Sequence, residues 1–547
     1  MRWNVFFLAL FTLALSETVR LRGGTVIHAD PSNYRALLHD LKPGSTLSLA
    51  AGRYPGLPIE GLNGTPDAWI TIAGPESGAP AVIVGSREAG SNLVEIFNSS
   101  YVAIENLRID SLGVPGAFGI SAKGHEQNVT HHIRIEGNTL VGQNGGQQTD
   151  GISTKTPTWG WVIRFNQILG AGTGLYLGES DGTQPFVNGV IENNLIKDTI
   201  GYNLEIKDQI SIPDVPGMPT GPTSTIIRNN VFVKNDQPSP DGDRPNLLVS
   251  AFPAAGTGSQ NQYEIYGNYF LHNHREALFQ GSGRVSLHDN VFVDGPPMYP
   301  AIVLRKQNKP LQLALVYNNT IYTSGKGIFF GTRAEIYDAV VGNLVFASVP
   351  ISGQILQQSN NVVGSVASAP AYVKAPAFGA AMDFYPLPGK CQGAPLDLSD
   401  FHTDTDYSVD FNGISKVAAK NAAVYRGAYA GDGNNPGWAL EASTKAPAPP
   451  ASQRSAALVW ISPTSGRAGS TVELTLTGVG FVPEATVEVS GQGVEVSTVK
   501  VEGSTRITAT LRIATSAASV VHGVTVSTPS GLSNTANFRV TARSPKG

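Results

Sequence analysis

Short runs of alternating apolar and polar residues recur along most of the chain, and one phrase among them repeats: an apolar-rich strand, an Asn, then a further apolar pair. It reads Ile104-Glu105-Asn106-Leu107, then Ile133 to Asn138, Val162 to Asn166 and Val190 to Asn194. It continues as Ile226 to Phe232, Tyr263 to Phe270, Val285 to Phe292 and Val316 to Ile321, and Asn343 and Asn361 close the series. The steps between these Asn residues run from 18 (343 to 361) to 38 (230 to 268), as expected of one fixed coil whose turns vary in length. Asn tolerates the left-handed backbone region and its amide can bond nearby backbone, so it suits a sharp bend between two strands. Stacked bends would align these side chains into a ladder.

Short, half-alternating strands suit parallel stacking with one face inward and the other to solvent. The fold expected for residues 24–370 is therefore an all-β, right-handed parallel β-helix of about ten or more coils, on the order of 50 Å long at about 4.8 Å per coil. A propeller would need four strands per blade at longer, regular periods. Exposed solenoid ends require caps. Asn33 to Leu41 has helical spacing, with Leu37, Leu38 and Leu41 on one side, and is expected to plug the N-terminal end. Residues 371–434, where the repeat fades, are expected to close the other end irregularly. Residues 435–457, with Ala446-Pro447-Ala448-Pro449-Pro450, read as an extended linker. From 458 to 542 short alternating strands such as Thr471 to Thr477 predict a small immunoglobulin-like β-sandwich.

Composition agrees with a many-turned β protein: the 547 residues include 61 Gly and 36 Pro, 15% are charged and 41% hydrophobic. A net charge of -4 from nearly even signs leaves no basic stripe, which argues against a nucleic-acid partner. Residues 1–16 have the form of an export signal, with Arg2, the apolar run Val5 to Leu15, and small residues near Ser16. No later run approaches the roughly 20 apolar residues of a membrane span. A secreted or cell-surface monomer is expected, with no disulfide framework, since Cys391 is the single cysteine.

The stretch Ile461-Ser462-Pro463-Thr464-Ser465-Gly466, with Gly469, Gly480-Phe481 and Thr528 to Gly531, resembles TIG/IPT immunoglobulin-like domains. The body resembles the pectin-lyase-like superfamily. Its start, Leu41 to Leu47 through Gly52-Arg53-Tyr54 to Ile70-Thr71-Ile72-Ala73, resembles the alginate lyase and chondroitinase B family. Such resemblance fixes fold more firmly than function.

Aligning the strands Gly119 to Lys123, Gly151 to Lys155, Gly174 to Gly178 and Asn203 to Lys207 places Lys123, Lys155 and Lys207 in one outward column. Asn246 to Ser250 and Ala277 to Gly281 follow, and Arg305 joins the column if one residue of slip is allowed. Around it lie Asp150, Glu179, Asp181, Glu205 and Asp208, with Tyr176 and Tyr202 as sugar-stacking or acid/base groups. Such a strip suits an acidic polysaccharide, and the compatible chemistry is β-elimination or epimerisation of a uronate: a cation neutralises the carboxylate and a base removes the acidified C5 proton. The family resemblance implies a Lys base, here Lys207, helped by an Arg one coil later. Ser250 stands at that position, so Arg244 or Arg305 is expected to serve. The resemblance also implies calcium, for which Glu179, Asp181 and Asp208 are the acidic candidates. Lys123, Lys155, Tyr176, Tyr202 and Glu205 are expected to bind substrate. Two other classes stand beside this one. A non-catalytic glycan-binding or adhesive surface protein would use the same strip. A glycoside hydrolase is suggested by Thr149-Asp150-Gly151-Ile152, but needs paired carboxylates that Gly174-Leu175-Tyr176 does not supply on the next coil. His272-Asn273-His274 lacks the third ligand a zinc site needs.

Overall fold

The computed structural model describes residues 24–85, 91–379, 381–416, 424–445, 456–479, 481–503, 506–528, 531–533 and 535–542. The export signal expected at 1–16 lies outside the described residues. Each coil of the body contributes one strand to each of three sheets. Val162–Arg164 belongs to the first, Gln167–Leu169 to the second and Thr173–Leu177 to the third, before Val190–Glu192 returns to the first. The sheets hold 15, 12 and 11 strands, and successive coils pair in parallel, as Val162 with Val190 and Ile168 with Ile196. The body is a parallel β-helix.

Its inner columns are aliphatic, with an aromatic stack at Phe232, Phe270 and Phe292 whose centroids lie 4.9 and 4.4 Å apart. The N-terminal plug forms as expected. Tyr34–His39 is helical, Tyr34, Leu38 and Leu41 are buried in the rod's core, and Leu37 packs against it.

The Asn ladder is present, and it divides the expected work between neighbours. At Asn166 the backbone N–H and the side-chain Nδ2 both donate to Asn194 Oδ1 at 3.0 Å, while Nδ2 also donates to Ile135 O at 2.9 Å. Asn194, Asn230, Asn268, Asn290, Asn319 and Asn343 repeat this triple bond toward the next coil, ending on Asn361. The left-handed bend belongs instead to the preceding residue: Asn106, Gly137, Phe165, Asn193, Asn229, Gly267, Asp289 and Asn318 have φ from 52° to 70°. A left-handed residue swings its side chain to the outer corner, so the inward amide has to come from the next position. Asn106 thus fills the bend, and Leu107 takes the ladder position, where its N–H donates to Asn138 Oδ1 at 2.9 Å.

The segment expected to close the far end runs back along the rod. In the later coils the second sheet is apolar on both faces: Val231-Phe232-Val233, Tyr269-Phe270-Leu271 and Val291-Phe292-Val293 each point one residue inward and two outward. That outer face needs cover, and Val373, Phe384, Tyr385, Phe411 and Tyr429 provide it. Over the first sheet, Phe401 stacks on Tyr317 at 3.9 Å, Asp404 accepts from Tyr317 at 3.0 Å, and Asp406 lies 3.7 Å from Arg228. We call the described residues between 366 and 445 the strap. Cys391 belongs to the strap and is buried in its apolar cluster, its thiol pushed up to about 12 by burial, which makes it a packing residue.

The linker expected from 435 is docked as far as Lys445. Trp438 and Leu440 join the apolar cluster on the second sheet. The fully buried Lys445 ammonium donates to Asn229 Oδ1, Gly267 O and Phe411 O at 3.1, 2.7 and 2.7 Å, which seats the strap in the left-handed corner. Residues 446–455 lie outside the described residues. Beyond them a four-stranded and a five-stranded sheet enclose Leu474, Leu476, Ile507, Leu511, Val524, Val526 and Phe538, forming the expected β-sandwich.

Asn230→Ala should expose this logic. It removes an acceptor for two donors of Asn194 and a donor to Ile191 O, all buried. At about 1 kcal/mol per bond plus unsatisfied groups, a loss of about 3 kcal/mol is expected in chemical denaturation. Asn361→Ala, at the less buried end of the ladder, should cost less. Equal losses at both sites would contradict a load carried by the buried amides.

Candidate functional site

The outer face of the third sheet carries the charged strip. Strand Phe118–Lys123 pairs with Asp150–Lys155 so that Lys123 faces Lys155 and Ser121 faces Ser153. Ser153 then faces Tyr176, and Tyr176 faces Glu205. Lys207, two residues beyond Glu205, therefore stands in the Lys123–Lys155 column, with Gly178 between; a Cβ at Gly178 would lie 3.3 Å from that of Lys207. The column expected from sequence is in register, and the alternation of strand side chains is the reason.

Arg305 also falls in this column, by a different correction of register. Phe279 pairs with Leu247 and with Ile302, so the strand in between aligns from Leu278 and not from Ala277. The slip belongs to that coil, and Arg305 needs none. Three strand spacings nevertheless separate it from Lys207, about 14 Å. Arg244 comes from the loop after the second-sheet strand Val231–Val233 and lies 5.6 Å from the Tyr202 ring. Gln147 pins that loop, accepting from Asp241 N at 2.9 Å and donating to Gly242 O at 2.7 Å. Buried Lys234 supports it from beneath, donating to Gly201 O and Arg244 O at 2.7 and 3.1 Å, with burial pulling its ammonium down to about 8. Lys207, Arg244 and Arg305 therefore do not converge on one point.

Tyr176 is flanked by cations, with Lys155 Nζ 4.8 Å and Lys207 Nζ 5.4 Å from its ring centroid. Lys207 is committed to Glu205 through a 2.8 Å ion pair. Burial pulls the Lys207 ammonium down, but the Glu205 carboxylate beside it more than reverses this and holds it above its ordinary value. The ion pair with Glu205 therefore opposes the role of base expected of Lys207, which requires loss of that proton. Glu205 is 3% exposed and burial raises its carboxyl despite Lys207. Asp150, also 3% exposed, is driven well above the ordinary carboxylate range by burial, with Lys123 and Lys155 opposing. Lys123 is pushed down by burial, and its Nζ rests 3.2 Å from the Phe118 ring centroid.

The acidic candidates do not assemble. Glu179 accepts from Ser180 and Asp181 from Thr183 within their own turn, while Asp208 accepts from Ala251 N at 3.0 Å. Among the described residues no three His, Cys, Asp or Glu side chains stand close enough to share a cation. Those carboxylates do not fit calcium, because they do not come together and each already has an oxygen accepting a backbone N–H.

Two clefts of about 250 and 210 Å³ extend the face toward the N-terminal coils and share Pro58 and Glu95. Sequence alignment of the coils started at Gly119 and so missed them; Glu95 pairs with Ser121 in the same outward column. A further enclosure of about 180 Å³, lined by Glu192, Arg228, Tyr266 and Asp406, lies under the strap. No helix among the described residues is long and apolar enough to cross a membrane.

Of the His272–His274 pair, His274 Nδ1 meets Pro296 O at 2.7 Å. His272 lies between two carboxylates, 2.8 Å from Asp236 and 2.9 Å from Asp294. Burial lowers its affinity for a proton, but the two carboxylates more than compensate, so its folded value is raised. The stabilisation is then complete below the unfolded value of about 6.5 and is lost as pH rises through the folded one. The gap in unfolding temperature between the protein and His272→Gln should be widest in mild acid and shrink above neutrality. A gap independent of pH would show that protonation contributes nothing there.

No family model matches the chain, and no curated protein matches it. Among solved structures it is similar to PfbA, a surface adhesin of Streptococcus pneumoniae, with a TM-score of 0.35 and 12% identity, over 66% of this chain and 90% of that one. A likeness this distant carries no functional argument.

Proposed function

We propose that the third face binds an acidic, uronate-containing polysaccharide laid along the rod, in a protein exported to the cell surface or beyond, and that it acts on the bound sugar by lyase-type β-elimination or epimerisation. The observation that carries the reading is the in-register column Lys123, Lys155 and Lys207 with Tyr176 between the last two. Repeated cations at coil spacing suit repeated carboxylates, and a phenol ring among them suits a sugar face. The clefts at Glu95 and Pro58 give the polymer room to continue. Both reactions begin with removal of the C5 proton beside a neutralised carboxylate, which fits a face where burial moves Asp150 and Lys123 away from their ordinary ionisation. The resemblance of the body to pectin-lyase-like proteins agrees with this chemistry. The sandwich, resembling TIG/IPT domains, is assigned a spacer or binding role.

One observation favours a second reading, a non-catalytic adhesive protein: the lysine best matched to a lyase base is held by Glu205. Binding and turnover are separated by measuring both.

Lys155→Ala should weaken binding to alginate, pectate or chondroitin about tenfold in affinity electrophoresis, the effect of losing roughly 1.5 kcal/mol from one charge-assisted hydrogen bond. Added salt should weaken the parent further. If neither Lys155→Ala nor Lys207→Ala changed the affinity for a polymer the parent binds, the column would not be the binding surface.

A further inference from the structure

We propose that Lys123 and Asp150 are the proton-transfer pair of the third face, Lys123 taking the C5 proton of a bound uronate and Asp150 giving a proton to the departing C4 oxygen. The proposal rests on the reading of this face as a uronate site.

Geometry selects these two. Lys123 ends its strand, yet its side chain folds back along it, so that Nζ lies 3.2 Å from the ring of Phe118 at the strand's start. Asp150 opens the neighbouring strand, whose Ile152 to Lys155 pair with Ile120 to Lys123. Continued by two residues, that register sets Phe118 beside Asp150, so the amine resting on the Phe118 ring is carried toward Asp150. A phenyl face holds an amine in place without accepting a proton in a fixed ion pair, whereas Lys207 has Glu205 at 2.8 Å.

The environment supports the roles. Burial is the largest influence on both groups, and it favours the neutral amine and the neutral carboxyl. Lys155, facing Lys123 across the strand pair, adds to the effect on the amine. Those are the forms that a base and an acid must have before the reaction; the attraction between the two groups opposes both shifts, so the pair reacts from the minor state in which the proton sits on Asp150. Lys155 and Lys207 on either side of Tyr176 remain as cations for the uronate carboxylate.

In the step, the Lys123 amine forms a bond to the C5 hydrogen and becomes an ammonium. The C5–H electron pair becomes the second C4–C5 bond, the C4–O4 bond breaks with its pair leaving on oxygen, and the Asp150 proton goes to that oxygen. One chain becomes two, one with an unsaturated end. The ammonium and carboxylate left behind hold the same number of protons as the starting pair, with one now on Lys123 and not on Asp150, and solvent relays it back. No oxidant, reductant or metal enters.

The test uses the full-length protein with alginate, pectate and chondroitin, following binding by affinity electrophoresis and the ultraviolet absorbance of the unsaturated product. Lys123→Arg and Asp150→Asn should each lower kcat about hundredfold or more, the usual weight of one acid–base group, with binding retained in Lys123→Arg, which keeps the charge of the column; Lys123→Met should lose turnover and weaken binding as well. Lys123→Arg keeps the charge and so guards against a variant that fails to fold. Full turnover in Lys123→Arg or in folded Asp150→Asn would overturn the assignment. A parent that binds a polymer but releases no unsaturated product would also overturn the pair and leave the binding surface intact, whereas a parent that binds none of the polymers would remove both.

Discussion

Every other feature of the rod depends on one stacking constraint, the transfer of a hydrogen bond from each buried asparagine amide to the next coil. Parallel strands stack only if their registers agree, and a slip of one residue would turn each inward column outward. The ladder prevents this, because each Oδ1 accepts both a backbone and a side-chain N–H from the preceding coil. An interior position able to accept twice and donate twice admits few residue types. Turn lengths are free to vary around that fixed corner, which is how loops as different as Gly170–Gly172 and Lys234–Asn246 precede strands of the same sheet.

The corner also explains the strap. The left-handed residue before each ladder Asn points its side chain out, and along one edge these outward groups become a row of sockets. Lys445 donates to Asn229 there, and Lys416 reaches Asp289 at 2.5 Å. The apolar outer face of the second sheet supplies the burial, and the sockets supply the register. In the first coils that face is polar, as in Arg108-Ile109-Asp110, and the apolar cluster beneath the strap begins only at Leu169 and Leu195.

How much of this was legible follows from what each signal depends on. The phrase ending in Asn could be read because it combines strand periodicity with a residue whose chemistry is specific. Which of two adjacent positions bends and which bonds could not, since Asn suits both and Asn193-Asn194 or Asn229-Asn230 fill both slots. The strap's course was hidden for another reason: Asp383 to Tyr429 has no period, so only the doubly apolar strands Val231 to Val233 and Val291 to Val293 announced that something must cover them. The lysine column was readable because strand alternation is rigid. Its ionisation was not, because a 2.8 Å contact with Glu205 depends on rotamers rather than on register.

That last difference bears on why the third face is an unusual surface. Solvated strand positions ordinarily carry charges that water neutralises at little cost, and their ionisation stays near the free value. Here Asp150 and Glu205 are almost wholly withdrawn from water, and the loop that carries Arg244 lies against Tyr202 beside them. Withdrawing a carboxylate costs free energy unless a partner restores it. Glu205 has Lys207. Lys445, equally buried elsewhere, has three oxygens around its ammonium. Burial pushes Asp150 and Lys123 toward their neutral forms, and the opposite charge of each is what opposes the shift of the other. Burial pulls the Lys445 amine down as well, to about 7, so desolvation alone does not mark a site; what distinguishes the third face is that this pair stands on neighbouring strands of one sheet whose outer side also carries Lys155, Tyr176 and Lys207.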